Sequence, residues 1–535
     1  MDNNIATFIL KSLLERAKIS NTQTFLTSVE INALHVFLGD IEENIPSDRP
    51  MVFEPVDNFL PQILYPNPAT IDDEHILCLD FGTSFSKAFA CSNDGLDDDP
   101  ELFDLSFGFN SAGDPKLLLP SELLIHDGEV FFGDAARAKF EVIEADQDRL
   151  IDGPKQYMTL GKDVSELQQR PLSKSKDPTG TFSQRDALVL FLAHLNLKAE
   201  DALKDRGLKL NLLRRYAHPA WDKNSTETNS KEMKRIMAEA IALSRLFPEE
   251  FHTHTSIEHA SILVNEARAA SDNDLPHALL SESVLEATAA GAGALMGTAA
   301  RKREAYVVLD IGAGTTDVAG CICINNPNNE RVKVSEVAPA AKAIRRAGNN
   351  LDNALLLLIL EKSGLAPRTT EYERESAALR KGIRSLKEIL FNDNFVVAEL
   401  VSGDLIEISV EELTGTKAVI SLFSDIREIV TDAAILVSGD DKVVNLVATG
   451  GGANLPIIQN LTDQPLTKNG KNLRLRLKSS IPKYVSDAYP NLIDPYPQLA
   501  VAVGGALPNL PQQINSISEG ITDPGEKHLT TIYKS

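Results

Sequence analysis

Hydrophobic positions change their spacing along the chain, from a helical pattern at the start to alternating strands and helices further on. The segments "IATFILKSLLERA" and "SVEINALHVFLGDI", within residues 1 to about 45, carry helical apolar periodicity and predict two helices. Six prolines between residues 45 and 70 predict an extended connector. From Ile76 to about Ala506, strands and helices alternate, which predicts an α/β fold. Residues 507–535 lack this periodicity and predict a loosely ordered tail.

One short pattern occurs twice, as "LDFGTSFSKAFA" from residue 79 and as "LDIGAGTTDVAG" from residue 309. Each copy follows an apolar run and leads into another strand. Aligning Asp80 with Asp310 also superposes three further pairs: Gly82 on Gly312, Ser86 on Thr316 and Cys91 on Cys321. The repeat predicts a duplicated strand–turn–strand unit and two similar lobes that face each other.

The residues of these turns suit a phosphate group and a cation. Glycine lets backbone N–H groups approach an anion closely, as at Gly82, Gly312 and Gly314. Hydroxyl groups add donors, from Thr83, Ser84, Thr315 and Thr316. Asp80 and Asp310 would repel phosphate unless a cation lay between them, and carboxylates with waters suit Mg²⁺.

A third glycine cluster lies in "VVNLVATGGGANLPIIQNL". The pattern predicts a strand that ends at Thr449, a turn at residues 450–452 and a helix that begins near Pro456. A strand, a glycine turn and a helix in this order commonly bind the part of a nucleotide away from its terminal phosphate. The binding candidates are Gly450, Gly451 and Gly452.

The order of these motifs resembles the actin-like ATPase superfamily, and most closely the nucleotide-binding domain of the seventy-kilodalton heat-shock chaperone family. The resemblance covers roughly residues 76–506, with the two repeated motifs as phosphate loops and "ATGGGANLP" as the adenosine loop. It implies a two-lobed, duplicated fold with ribonuclease-H-like lobes and an N-terminal helical extension. The implied division is 1–70 for the extension and connector, 71–300 for the first lobe, 301–506 for the second and 507–535 for the tail.

Further motifs carry over individual residues of the family's site. "IDGPKQYMTLG" resembles the segment with the catalytic lysine, here Lys155, and "LEATAAGAGALMG" makes Glu286 the carboxylate that orients the attacking water. "AGNNLDNALL" matches a family turn through Gly348, and "RSLKEILF" retains Lys387 at the adenine site. Asp310 is implied both as a metal ligand and as a catalytic residue.

The chain also departs from the family pattern. Arg384 stands where an acid is usual, Asn454 replaces the arginine that stacks on adenine, and Ala287 replaces a proline. The segment 222–285 is longer than the corresponding segment of the family, and we expect it to contain an inserted helical element. The 29 residues after Ala506 match neither the family's β-rich peptide-binding domain nor its helical lid, so we expect the output to reach a separate protein.

Composition narrows the class of partner. The net charge of −23 argues against nucleic acid or an anionic membrane as the main partner, and no apolar run is long enough to cross a bilayer. We therefore expect a cytoplasmic protein. The four cysteines show no zinc-ligand spacing and are expected to be buried thiols. The expected protein partner would bind through the N-terminal helices, the 222–285 element or the tail, and a homo-oligomer is left open.

Together these observations predict a Mg²⁺-dependent, slowly hydrolysing ATPase that binds ATP and ADP and acts as a chaperone-like conformational switch. Three alternatives share the same turns. An actin-like filament former would assemble with ATP, a small-molecule kinase would need an acceptor, and a pseudo-ATPase scaffold would bind nucleotide without turnover.

Overall fold

The computed structural model describes residues 65, 71–93, 100–110, 113–143, 147–159, 163–221, 225–295, 303–325 and 332–516. All of these belong to one unit, Pro61–Ser535. The two predicted N-terminal helices, most of the proline-rich connector and the tail after residue 516 lie outside the described residues.

Twenty strands are described. They are β1 Asp72–Asp80, β2 Phe85–Ser92, β3 Leu102–Asp104, β4 Leu119–Pro120, β5 Glu122–His126, β6 Glu129–Phe132, β7 Leu150–Asp152, β8 Leu212–His218, β9 His254–Ser256, β10 Val284–Leu285, β11 Arg303–Ile311, β12 Thr316–Asn325, β13 Val332–Val337, β14 Lys342–Ile344, β15 Phe395–Glu399, β16 Leu405–Ser409, β17 Val443–Thr449, β18 Leu466–Lys468, β19 Lys471–Lys478 and β20 Gln512–Ile514.

Thirteen α-helices are described, together with short 3-10 turns. The helices are α1 Gly133–Val142, α2 Gln156–Thr159, α3 Gln184–Asp205, α4 Thr226–Leu246, α5 Ile257–Ala269, α6 Glu286–Leu295, α7 Gly348–Lys362, α8 Thr370–Asp393, α9 Val410–Thr414, α10 Lys417–Ser438, α11 Pro456–Asp463, α12 Lys483–Ala488 and α13 Tyr496–Ala506. The 3-10 turns are Gln147–Arg149, Val164–Gln169, Pro248–Phe251, Asp272–Asp274, His277–Leu279, Ala338–Ala340 and Pro490–Leu492.

The two larger sheets share one strand order. The first runs β10-β8-β1-β2-β3, and the second contains β19-β17-β11-β12-β13 flanked by β18 and β20. In each, the central strand pairs antiparallel with the next strand along the chain and parallel with a strand that arrives later. The predicted strand–turn–strand units are therefore both present, and the mixed α/β class is confirmed. Strand β4 also pairs with β2, and β14 with β12. Two smaller sheets, β7-β5-β6-β9 and β15-β16, complete the described strands.

Register fixes which side chains face each other at the open end of each hairpin. In the first hairpin Asp80 lies opposite Lys87, and in the second Asp310 lies opposite Asp317. Residues directly opposite each other in an antiparallel pair share a face of the sheet. Each hairpin therefore presents a cross-strand pair of charged side chains beside its turn.

A hydrophobic cluster joins the two large sheets through helices α6 and α13. It contains Cys78 and Phe89 from the first sheet, and Tyr306 and Val308 from the second. The two helices cross so closely that a Cβ atom on Gly504 would lie 1.8 Å from the Ala289 carbonyl oxygen. Small residues are therefore required at this crossing.

The segment predicted as an insertion packs into the core of the first sheet. Met233 and Ile236 of α4 and Leu263 of α5 are buried in the same cluster as Leu77 of β1 and Phe191 of α3. Residues 226–269 are thus part of this core, although they form helices as predicted.

Two composition-based expectations concern the described residues. All four cysteines lie in this part of the chain, are buried and form no disulfide, as predicted. No described helix combines the length and the apolar character needed to cross a membrane.

His194 connects α3 to the 3-10 turn at Phe251. Its Nδ1 donates to the Phe251 carbonyl oxygen at 2.6 Å, and its ring stacks on Phe132. The other ring nitrogen, Nε2, is buried without a hydrogen-bond partner. Burial lowers the pKa of His194 to about 3, so the folded protein holds this imidazole neutral.

This burial predicts a stability that falls with acidification. Below pH 6.5 the unfolded chain protonates His194 while the folded protein does not. Between pH 7 and pH 5 we expect the wild type to lose about 2 kcal/mol more unfolding free energy than His194→Gln, whose side chain does not titrate. Denaturant titrations at both pH values measure this, with His254→Gln as the exposed histidine control. Equal losses in wild type and His194→Gln would contradict the prediction.

Candidate functional site

The three predicted glycine turns converge on one cavity of about 510 Å³. The sequence-predicted residues that line it are Asp80, Gly82, Thr83, Ser84, Lys155, Glu286, Asp310, Gly312, Thr315, Gly348, Lys387, Gly450, Gly451, Gly452 and Asn454. Two predicted residues are outside the lining. The Thr316 hydroxyl instead donates to the Arg346 carbonyl oxygen at 2.7 Å. Gly314 lies directly behind the lining, where a Cβ atom would come within 2.7 Å of Thr83 Oγ1. The turns of the two hairpins therefore contact each other.

The first hairpin contributes an acid and a base from opposite strands. Asp80 ends β1, and its Oδ2 accepts from the Lys87 ammonium at 2.9 Å. The turn between them needs glycine, because a Cβ atom on Gly82 would lie 2.0 Å from the Phe85 carbonyl oxygen. Both charged side chains line the cavity, and Lys87 was not among the predicted site residues.

The second hairpin holds two carboxylates where the first holds one. Asp310 Oδ1 accepts from the Thr449 hydroxyl at 3.0 Å, so β17 orients this carboxylate. Asp317 lies opposite Asp310 and interacts with the Thr315 side chain and the Ala220 backbone, but its Oδ2 is buried without a hydrogen-bond partner. Burial and the nearby Asp310 carboxylate raise the pKa of Asp317 to about 6.

Asp317 and Lys87 could both have been found by extending the sequence repeat by one position. The alignment that superposes Ser86 on Thr316 places Lys87 on Asp317. A lysine and an aspartate at matched positions are easily dismissed as divergence. The register shows that they are the cross-strand partners of Asp80 and Asp310.

The third turn docks against the end of β11. Gly450 has a φ of 78°, and a Cβ atom there would lie 2.4 Å from the Ile311 carbonyl oxygen and 2.7 Å from Asp310 Oδ1. The Gly452 N–H donates to the Ile311 carbonyl oxygen at 3.0 Å. As predicted, β17 ends at Thr449 and α11 begins at Pro456.

Lys155 and Glu286 form a buried ion pair in the cavity. Glu286 is the first residue of α6, and Lys155 follows Gly153, whose φ of 89° allows its loop to contact the Thr83 backbone. Burial disfavours the Lys155 ammonium, but the Glu286 and Asp80 carboxylates outweigh this effect and raise the pKa of Lys155. Burial raises the pKa of Glu286, reinforced by Asp317 and Asp80 and opposed by Lys155.

A tryptophan stacks beside this ion pair. The indole of Trp221 lies on the imidazole of His218, with ring centroids 4.1 Å apart and an interplanar angle of 8°. The pKa of His218 is lowered to about 4, mainly by burial and in part by the Lys155 charge. The sequence motif "AHPAW" therefore runs past the end of the cavity that holds Lys155 and Glu286.

Helix α8 supplies the other end of the cavity. Lys387 pairs with Asp352 at 2.8 Å, and its ammonium also reaches the Gly348 carbonyl oxygen at 3.4 Å. Four further α8 residues line this end: Arg384, Glu388, Phe391 and Asn392. Arg384, which stands where the resemblance leads us to expect an acid, is thus in the cavity.

The carboxylates at the hairpin ends suit a divalent cation. Asp80, Asp310, Asp317 and Glu286 are all buried, and burial together with repulsion from Asp80 raises the pKa of Asp310. A divalent cation among them would relieve this repulsion, and waters would complete its coordination. Within the described ranges, one group of three possible metal ligands has its ligand atoms within 4.8 Å of one another, and it lies outside this cavity, at Asp72, Glu74 and His75. The Lys209 ammonium already contacts both acids of that group.

A larger cavity, of about 810 Å³, lies beside β1 and α4. Its buried charges are already paired, because Glu200 accepts from both Arg214 and Arg245. Beside the cavity at the glycine turns, next to Asp310, the Asp317 carboxylate instead keeps a buried oxygen without a partner, which makes this cavity the better candidate site.

In comparisons with known proteins, no family model matches this sequence and no curated protein is detectably similar to it.

The docking of the third turn predicts an unequal cost for two matched substitutions. Gly450 and Gly470 have nearly equal φ values, 78° and 77°, but only Gly450 has neighbours within 4 Å of a new Cβ atom. We expect Gly470→Ala to cost about 1 kcal/mol of unfolding free energy and Gly450→Ala about 2–4 kcal/mol. Denaturant titration of both variants measures the difference. Equal costs would show that the third turn does not dock on β11 as described.

Proposed function

We propose that the chain is a Mg²⁺-dependent ATPase with a two-lobed, actin-like arrangement, in which ATP binds between the two hairpins. One observation carries this proposal: three glycine turns from distant parts of the chain, together with Lys155 and Glu286, line a single cavity. Turns that present backbone N–H groups next to a lysine are suited to phosphate. The matching strand order of the two large sheets supports the two-lobed arrangement.

Each residue has a role that follows from its position. The turns at Gly82–Ser84 and Gly312–Thr315 would hold the phosphates through backbone N–H groups and hydroxyls. Lys155 now neutralises Glu286, and a γ-phosphate would offer the same ammonium a second anionic partner. Glu286 would then orient the attacking water, and Asp317 would accept a hydrogen bond from this water.

The metal would be held by Asp80 and Asp310, largely through water. A bound Mg²⁺ would neutralise charge that develops on the transferred phosphoryl group. The base end of the nucleotide would lie between α8 and the third turn, near Lys387 and Asn454. Among the α8 residues that line this end, Phe391 carries an aromatic ring, so it is the one best suited to stack on a base.

We further propose that nucleotide state acts as a switch on a separate, chaperone-type protein partner. The γ-phosphate would bridge the two hairpin turns, which already contact each other through Gly314 and Thr83. Candidate partner surfaces are the N-terminal residues 1–70, the exposed faces of the 222–285 segment and the C-terminal tail. Deleting the 222–285 segment would not test its role in binding, because its helices are buried in the core of the first sheet and the fold would be lost.

Lys155→Met tests the catalytic role. We expect ATP binding to stay within about tenfold of wild type while the single-turnover hydrolysis rate falls about 10²- to 10³-fold, because transition-state charge is no longer offset. Asp310→Ala is expected to weaken binding itself. Equilibrium dialysis with labelled ATP and rapid-quench hydrolysis measure the two quantities. Lys362→Met, which removes a lysine–glutamate pair outside the cavity, is the matched control.

The outcomes distinguish the alternatives. Absence of ATP binding by the wild type would refute the proposed function. Binding without any turnover would identify a nucleotide-binding scaffold, turnover only with an added acceptor would identify a kinase, and ATP-dependent light scattering would identify a filament former.

The switch predicts a difference between ATP and ADP. We expect amide hydrogen exchange at residues 81–84 and 312–315 to slow by about tenfold or more with Mg·ATP and by less with Mg·ADP, since only the γ-phosphate bridges both turns. Hydrogen-exchange mass spectrometry measures both states, with the sheet-edge hairpin at residues 466–478 as an internal reference. Equal protection by ATP and ADP would contradict a switch and favour a fixed structural ligand.

A further inference from the structure

Lys87 occupies the side of the cavity where the proposed cation would bind. Its ammonium lies 2.9 Å from Asp80 Oδ2, and both side chains are largely buried, at 14% and 4% exposure. The ammonium also lies 3.3 Å from where a Cβ atom on Gly82 would be, so it rests directly over the first phosphate turn. A built-in cation therefore already neutralises one of the two proposed metal ligands.

The fold determines this placement. Asp80 and Lys87 are directly opposite in the β1–β2 register, as Asp310 and Asp317 are in the β11–β12 register. The duplicated hairpins thus use one geometric position for opposite charges, a lysine on one side of the cavity and an aspartate on the other. The asymmetry gives Asp80 a counter-ion from the protein itself, whereas Asp310 faces a second acid.

A divalent cation at Asp80 would compete with this counter-ion. Two cations cannot share one carboxylate at short range without strong repulsion in a buried site. The Lys87 side chain has four methylene groups and faces an open cavity, so it can turn from Asp80 towards a phosphate oxygen when a metal arrives.

We propose that Lys87 is a positioning residue that holds Asp80 when no metal is bound and competes with Mg²⁺ for that carboxylate. This inference rests on the proposed nucleotide binding. Its consequence is a weakened dependence of ATP binding on Mg²⁺, because the lysine charge partly replaces the metal in the metal-free protein and opposes it in the metal-bound one.

Lys87→Met separates this role from simple packing. Relative to wild type, we expect the Mg²⁺ concentration for half-maximal ATP binding to fall about tenfold, because Asp80 becomes available. In EDTA, we expect ATP affinity to fall about tenfold or more, because no cation offsets the phosphates. Equilibrium dialysis with labelled ATP in a MgCl₂ series and in EDTA measures both quantities.

Three further variants serve as controls. Lys204→Met removes an exposed lysine–aspartate pair with the same 2.9 Å separation and should leave both quantities unchanged. Lys87→Arg keeps the charge and should retain the wild-type Mg²⁺ response. Lys87→Gln removes the charge but keeps a donor for Asp80, and it replaces Lys87→Met if that variant does not fold.

The results separate this inference from the proposed function. If wild type and Lys87→Met bind ATP with the same Mg²⁺ dependence, or if the variant loses affinity equally with and without Mg²⁺, the competition is refuted while nucleotide binding stands. If the wild type binds no ATP in either condition, both proposals are refuted.

Discussion

Mutual repulsion among buried carboxylates is the constraint on which the centre of this molecule depends. Asp80, Asp310, Asp317 and Glu286 approach one another at the ends of two hairpins and a helix, away from solvent. Buried charges persist only with counter-ions, and two lysines from unrelated segments supply them, one across a strand pair and one from a loop. The remaining excess of negative charge appears as raised pKa values at Asp310, Asp317 and Glu286.

Backbone packing without side chains brings these charges together. Three segments approach another part of the polypeptide more closely than a Cβ atom would allow. They are the loop before Lys155, the turn of the second hairpin and the turn after β17. Gly153, Gly314 and Gly450 are the residues at these contacts. Two of them adopt positive φ values, so glycine is needed there for conformation as well as for space.

Much of this site could be predicted from the sequence because its residues lie in turns with strong local signals. The repeat predicted both hairpins, and the glycine cluster predicted the strand end at Thr449 and the helix start at Pro456. Lys155 and Glu286 were each named only through the family resemblance, and their pairing was not predicted, because it depends on the tertiary packing of distant segments. Spacing predicted an inserted helical element at residues 222–285, but it did not predict that the apolar faces of α4 and α5 pack into the core of the first sheet.

The stack of Trp221 on His218 gives this chain an optical property of its own. Trp221 is the only tryptophan in 535 residues, so all of the indole emission comes from one known place. The neighbouring residue Ala220 binds Asp317 through its backbone, and the imidazole beneath the indole feels the charge of Lys155. Any rearrangement of these two charged groups must therefore alter the surroundings of a single fluorophore. The wavelength and intensity of its intrinsic emission follow such a rearrangement without an added label.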